Sequence, residues 1–365
     1  MQIITIGIDL AKHVFQVHGV GANDKVAFNK PLRRAQMLPF CAKLAPCLIG
    51  MEACASAHHW ARELKNLGHD VRLMPAKDVK AYVKRNKNDA VDAAACCEAV
   101  RRPTVRTVPV KTPEQQAQLM QHRVRDLLVR QRTQAINALR SHLAELGIIA
   151  AQGYEGLKTL LSIITDGSDA RLPENARASL SALVAQIASC QAEIGAIEKR
   201  LLAEHRKNED SKRLETIPGI GVIGASAIVA TVPDASIFKT GRDFAAWIGI
   251  VSREDSTGGK QRLGPISKQG DRYLRRLLVV GALAVLKRAQ LHPGKYPWLT
   301  QLLARKPAKV AAVALANKLA HGLGGANKEG KLPGTADHNG GSGSSGDVRL
   351  EAKRPGNEEI RNRAM

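Results

Sequence analysis

Four acidic residues stand at places where a carboxylate is expensive unless something meets it. Asp9 closes the run Ile6-Gly7-Ile8-Asp9-Leu10, and Glu52 closes Leu48-Ile49-Gly50-Met51-Glu52. A carboxylate at the end of such an apolar run costs free energy to bury without a cation or a hydrogen-bond donor. Asp89 and Asp92 lie in Asn88-Asp89-Ala90-Val91-Asp92-Ala93-Ala94. Their i, i+3 spacing places both on one face of a helix. Two strand-end carboxylates and a helical pair can converge on one point, and an oxygen-only set of that kind suits Mg²⁺ or Mn²⁺. Two such ions about 3.5–4 Å apart activate a nucleophile and stabilise a leaving oxygen in phosphoryl transfer. Taken singly, each acid reads more simply as a helix-terminal charge or as the partner of a nearby Lys or Arg. Taken together, on a basic chain, the four read as a metal site.

A second constellation lies in Ser252–Gly270, a polar, basic, glycine-rich stretch that reads as a loop. Ser252, Ser256 and Ser267 stand among Arg253, Lys260, Arg262 and Lys268. Basic side chains can clamp a scissile phosphate, and a serine activated by a base or a metal can attack phosphorus. A loop serine is more commonly a turn or cap residue, and the residues alone do not choose among the three. Gly219-Ile220-Gly221-Val222-Ile223-Gly224 matches G-x-G-x-x-G. A dinucleotide site would need a strand before it, whereas the residues upstream, Glu209–Glu215, are charged and helical. Ile217–Gly221 reads instead as the hairpin of a helix-hairpin-helix whose backbone N–H groups at Gly219 and Gly221 face a phosphate. The plainer alternative is a tight turn that only packs helices. Lys84, Arg85 and Lys87 form a basic cluster, and Arg272, Arg275 and Arg276 repeat the pattern on a later helix. His58-His59 does not read as a metal site, because adjacent helical positions do not face one ligand.

The elements that carry these residues follow from periodicity. Gln2–Leu10, Val14–Val20 and Lys25–Asn29 read as strands at hairpin spacing, with turn chemistry at Gly21–Asp24. Arg33–Leu44 reads as a helix, Cys47–Glu52 as a central strand, Ala57–Leu67 as a helix, Asp70–Met74 as a strand and Asn88–Val100 as a helix. This order predicts a mixed α/β layer of RNase-H-like type, opening with an antiparallel meander. Beyond Pro103–Pro113, Glu114–Leu146 and Leu172–His205 show long helical periodicity, a helical hairpin or coiled coil. Phe238–Gly249, Asp271–Gln290 and Lys309–Leu319 read as helices of a mainly α C-terminal part. The predicted domains are 1–110, 111–212 as a helical connector, 213–320, and a flexible tail at 321–365, which contains the Gly/Ser run Gly340–Gly346.

Charge narrows the partner. The 365 residues carry 55 Lys+Arg against 33 Asp+Glu, a formal net charge of +22. It is placed unevenly, at +8 over 1–110, +2 over 111–215, +11 over 216–320 and +1 over 321–365. Two basic segments flanking a near-neutral middle call for a polyanion, most commonly nucleic acid. Aromatics make up only 3% of the chain, which argues against base recognition on aromatic platforms. The six cysteines contain no C-x-x-C pair, which disfavours a zinc ribbon. No signal peptide opens the chain and no uncharged apolar run reaches about 18 residues. The expectation is a reduced, cytoplasmic, nucleoid-associated protein with no membrane partner.

The motifs resemble one family. Ile6–Lys12, Glu52-Ala53, Lys87–Ala93, Ile217–Gly221, Phe244–Gly249 and Ser267–Gly270 occur in the order found in transposases of the insertion-sequence family numbered one hundred and ten, including the Piv-type invertases. The similarity runs from about Met1 to Leu319. It implies a RuvC-like N-terminal domain with a DEDD tetrad at Asp9, Glu52, Asp89 and Asp92, holding Mg²⁺ or Mn²⁺. It also implies a helical connector and a C-terminal transposase domain whose catalytic serine falls on Ser256. It further implies recombination guided by a structured bridge RNA that pairs with target and donor DNA, a phosphoserine link to DNA, and dimers that assemble into a tetramer. In that assembly each active site joins the metal domain of one protomer to the serine domain of another. Sequence would then be read by base pairing. The residues alone leave open a metal-dependent RuvC-type nuclease with no covalent intermediate, in which Ser256 is structural. The chain departs from the family past Asn317-Lys318-Leu319, where Gly322–Gly325 takes over.

Overall fold

In the computed structural model, residues 2–84, 88–232 and 234–323 are described. The chain forms two compact units, Met1–Glu114 and Gln115–Met365.

The first unit is built on a five-stranded mixed sheet. Its elements are β1 (Ile3–Asp9), β2 (Val14–Gly21), β3 (Val26–Arg33), α1 (Met37–Cys41), β4 (Leu48–Glu52), α2 (Ala57–Asn66), β5 (Asp70–Met74), α3 (Ala76–Lys80) and α4 (Asp89–Val100). The strand order is β3-β2-β1-β4-β5. The first three strands are antiparallel, while β4 and β5 run parallel to β1. That order is compatible with an RNase-H-like DEDD transposase domain. Ile6, Ile8, Phe15, Val17, Ile49 and Met51 are buried on the sheet, and the Trp60 ring of α2 meets Phe15 edge-on at 5.0 Å. The predicted helix Arg33–Leu44 is a correction. Arg33 pairs with Val14 in the ladder, so β3 runs on and leaves only a 3₁₀ turn (Arg34–Gln36) and the short α1. Strand pairing overrides local propensity there.

Two glycines let α4 lie on the sheet. Gly7 on β1 and Gly50 on β4 are register partners. A Cβ at Gly7 would stand 2.0 Å from the Ala93 carbonyl oxygen, and one at Gly50 would stand 2.6 Å from Val100 Cβ. The missing side chains admit the helix backbone directly onto the two central strands. Asn88 caps α4, its Oδ1 accepting from Val91 N at 2.9 Å, a bond worth about 1 kcal/mol.

The second unit is mainly helical. It comprises α5 (Pro113–Glu145), whose first residues overlap the end of the first unit, α6 (Tyr154–Thr165), α7 (Glu174–Lys207), α8 (Glu209–Glu215), α9 (Val222–Thr231) and α10 (Gly241–Ile248). There follow a ribbon of β6 (Ser252–Glu254) and β7 (Leu263–Ile266), then α11 (Arg272–Leu291), α12 (Pro297–Arg305) and α13 (Ala308–Leu323). Helices α5 and α7 run antiparallel, with Gln121 donating to Glu204 at 2.7 Å and Arg125 to Glu198 at 2.8 Å. Leu139, Leu143, Leu180 and Ile187 share one buried cluster, as a helical hairpin requires. Helix α7 is long and apolar enough to cross a bilayer by length and composition; here Leu180, Ile187, Cys190, Ile194, Ile197 and Leu201 are buried along it. The C-terminal helices enclose a separate core that includes Phe244, Ile248, Leu278, Leu286 and Ala312.

Three short helices escaped the sequence reading, α3, α6 and α12. The last helix reaches Leu323, past the predicted end at Leu319 and through Gly322. Of the predicted tail, 324–365 lie outside the described residues.

Candidate active site

Each of the four sequence-predicted acids sits at an element end. Asp9 ends β1 and Glu52 ends the neighbouring parallel strand β4; Asp89 and Asp92 occupy the first turn of α4. Because Ile8 pairs with Met51, the two strand-end carboxylates emerge side by side from the sheet. Ligand oxygens of Asp9, Asp89 and Asp92 all lie within 4.8 Å of one another. Octahedral Mg²⁺ at about 2.0–2.1 Å from its oxygens holds opposite ligands about 4 Å apart, so the set has the spread and donor chemistry of a hard-cation site. Glu52 stands outside that close group, at the end of the strand beside Asp9. Burial pushes the Cys96 thiol up, and the charges of Glu52, Asp9 and Asp92 push it the same way. Cys96 lies one turn along α4 from Asp92. Asp89 is exposed, and Asp9, Glu52 and Asp92 are half-buried, so the site opens to solvent.

In the second unit, the Ser252–Ile266 part of this stretch is not a loop. It is a β-hairpin, with Ser252 opposite Ile266 and Glu254 opposite Leu263. Thr257 bridges Lys260 across the tip, where Gly258 and Gly259 have φ of 56° and 75°. Two consecutive positive φ values are what a tight two-residue hairpin turn demands, and they account for the glycine richness that suggested a loop. Ser256 is exposed beside this turn. Its Oγ donates to Glu254 Oε1 at 2.9 Å and accepts from Arg262 N at 3.2 Å. Asp255 N donates to Arg262 O at 3.0 Å, which locks the ladder.

The predicted nucleic-acid residues divide by environment. Arg253, Lys260, Arg262 and Lys268 are exposed along the hairpin, and Arg272 is exposed in the first turn of α11. Arg253 also donates to Ser267 O at 3.3 Å. Arg275 turns inward, however, while Arg276 stays exposed. Arg275 donates to Ile248 O at 2.6 Å and to Gln269 O at 3.1 Å, and Arg276 pairs with Asp126. Arg275 therefore ties the base of the hairpin to α10 and α11, a role its sequence spacing did not reveal. Lys84 is exposed, and Arg85 and Lys87 lie outside the described residues.

The G-x-G-x-x-G stretch joins α8 to α9, so no strand precedes it. Gly219 presses on α11, and a Cβ there would stand 3.1 Å from Gly281 O. Gly221 is the exposed N-cap of α9, with open space where a Cβ would go. His58 and His59 serve separate partners, Lys111 N and Glu63.

Comparison with known proteins places this geometry. The model described as "Transposase IS116/IS110/IS902 family" matches residues 211–296, which include the hairpin. A DEDD transposase model of the IS110 type matches residues 6–148, which include all four acids. A protein of Pseudomonas aeruginosa named "Probable family 20 transposase" is 49% identical over 320 residues, 87% of this chain and 95% of that protein. The chain belongs to the IS110/IS116/IS902 family of transposases. The transposase for insertion sequence element IS1328 of Yersinia enterocolitica is 40% identical over 319 residues, 87% of this chain and 95% of that protein. The transposase for IS1111A of Coxiella burnetii is 38% identical over 314 residues, 86% of each. As a member of this family the transposase acts on DNA in the movement of an insertion sequence, and its DEDD domain calls for a divalent metal.

Proposed function

We propose that this transposase cuts and rejoins DNA strands through a phosphoserine at Ser256, with Asp9, Glu52, Asp89 and Asp92 holding Mg²⁺ or Mn²⁺. The observation that carries this reading is the close set of Asp9, Asp89 and Asp92, whose oxygens gather within 4.8 Å. A bound divalent ion supplies charge neutralisation for phosphoryl transfer at the scissile phosphate. The chain's own residues do the rest. Ser256 Oγ attacks phosphorus, and the exposed Arg253, Lys260, Arg262, Lys268 and Arg272 hold the phosphates beside it. Gly219, Gly221 and the basic cluster of Lys84, Arg85 and Lys87 take further backbone contacts.

In this reading 1–110 carries the metal set, 111–212 is the connector and 213–320 carries the serine. A bridge RNA pairs with target and donor DNA, which leaves the protein to grip backbone and suits a chain with few aromatics. Dimers assemble into a tetramer, so that the serine of one protomer meets the metal set of another, on nucleoid DNA in the cytoplasm.

Covalent trapping tests the reading. The full chain, co-expressed with RNA from the DNA flanking its gene, is mixed with labelled donor and target duplexes and Mg²⁺, then denatured and run on a gel. We expect a shifted protein–DNA band in the wild type and none in Ser256→Ala. Cleaved DNA with no adduct would replace the serine recombinase with a metal-only nuclease.

A further inference from the structure

We propose that Glu254 is the general base that takes the proton of Ser256 Oγ. The proposal rests on the nucleophilic reading of Ser256 and adds the group that makes that hydroxyl reactive. A serine hydroxyl is a weak nucleophile until an adjacent base accepts its proton. Among the described residues, Ser256 alone of Ser252, Ser256 and Ser267 has a carboxylate on its Oγ, with Glu254 Oε1 at 2.9 Å. The direction of that bond is the one proton transfer needs, with O–H donating and carboxylate accepting. On the other side, Arg262 N donates to the same oxygen at 3.2 Å. A backbone N–H so placed stabilises the negative charge that grows on Oγ as its proton leaves.

The hairpin enforces the pair. Glu254 and Ser256 are two residues apart, the interval at which an extended chain returns to one face. The Glu254–Leu263 register, the Asp255–Arg262 bond and the Thr257–Lys260 bridge fix the backbone on either side of the serine. Gln261 Nε2 reaches Glu254 Oε1 at 3.5 Å and restrains the carboxylate from the opposite strand. Both Glu254 and Ser256 are exposed, so a phosphate can approach Oγ without displacing the base.

The step balances. As Oγ bonds to phosphorus, the O–H bond breaks and its proton passes to Glu254 Oε1. The pair of the scissile P–O bond leaves on the sugar oxygen, which takes a proton from solvent water. In rejoining, a sugar hydroxyl loses its proton to solvent water as it attacks the phosphoserine, the Oγ–P bond breaks, and protonated Glu254 returns its proton to Oγ.

The test measures single-turnover adduct formation by the full chain with its flanking RNA, labelled element-end duplex and Mg²⁺. Glu254→Gln keeps a hydrogen-bond acceptor and loses the ability to take a proton. We expect it to slow adduct formation by about 10²–10³-fold, with DNA binding by gel shift and melting temperature unchanged. Glu254→Ala should be slow and should regain rate when formate or acetate is added, which a merely structural role would not show. Glu254→Gln at the wild-type rate, alongside a Ser256-dependent adduct, would overturn the base and leave the nucleophile standing. So would a Glu254→Ala defect that carboxylates do not relieve. Absence of any adduct in the wild type would instead remove the nucleophilic reading itself.

Discussion

Asp9, Asp89 and Asp92 bring three carboxylates within 4.8 Å. Two like charges about 4 Å apart repel by about 4 kcal/mol at an effective dielectric constant of 20. A divalent cation reverses the sign of that contribution, so the cluster should bind metal and be stabilised by it. Asp9→Asn removes one ligand charge and leaves the shape nearly intact. Strand exchange should fall by at least about 10³-fold, while nucleic-acid binding by gel shift stays close to wild type. The melting temperature should rise on adding Mn²⁺ in the wild type and much less in the variant. Loss of binding and folding together would make Asp9 a structural residue. The four acids were legible because carboxylates after apolar runs are conspicuous. The Glu254–Ser256 pair was not singled out, since two polar residues in a polar stretch carry no such contrast.

Helix α4 carries two of the acids, and two glycines decide where it sits. Replacing Gly7 with Ala would put a Cβ 2.0 Å from the Ala93 carbonyl oxygen, against backbone that cannot swing away. The helix must lift from the sheet, taking Asp89 and Asp92 with it. We expect Gly7→Ala to cost about 1–3 kcal/mol of stability and to weaken Mn²⁺ binding, read together by thermal melts with and without metal. A variant that melts lower but binds Mn²⁺ as tightly as wild type would show that α4 does not set the site. The hairpin carrying Ser256 is the opposite case. Its glycines read as loop because turn glycines and loop glycines look alike in sequence, and only the ladder between Ser252–Glu254 and Leu263–Ile266 distinguishes them.

Across the second unit, a buried polar cluster joins three helices. His122 on α5 contacts Ser226 on α9 at 3.1 Å and Tyr273 on α11 at 3.2 Å. Burial, with Arg125 adding to it, pulls the imidazole down to about 4. The folded chain therefore holds His122 neutral where an unfolded histidine, near 6.5, would already bind a proton. The stability this contributes is complete above about pH 6.5 and is lost as pH falls toward 4, by about 2 kcal/mol at pH 5. Burial pulls His18 and His321 down as well, so they add to the same trend. The drop in melting temperature between pH 7 and pH 5 should be smaller in His122→Gln than in the wild type. Parallel curves for the two proteins would mean that His122 does not report the fold's acid sensitivity.

Local chemistry decided much of this protein before any folding. Alternating and continuous apolar runs specified the five strands within a few residues, and the i, i+3 spacing of Asp89 and Asp92 put them on one helical face. The excess of basic residues named a polyanion as partner. Those are near-neighbour properties, and a linear chain displays them. Tertiary structure decided the rest. Strand β3 extends to Arg33 because Val14 pairs with it, 19 positions away along the chain. Arg275 turns inward because the Ile248 and Gln269 carbonyls offer it acceptors, and the exposed Arg276 is held by Asp126. Asp9 meets Asp89 and Asp92 because Gly7 and Gly50, register partners on adjacent strands, leave room for a helix that begins 82 residues after Gly7. Contacts across such distances depend on register and packing, which no local spacing records.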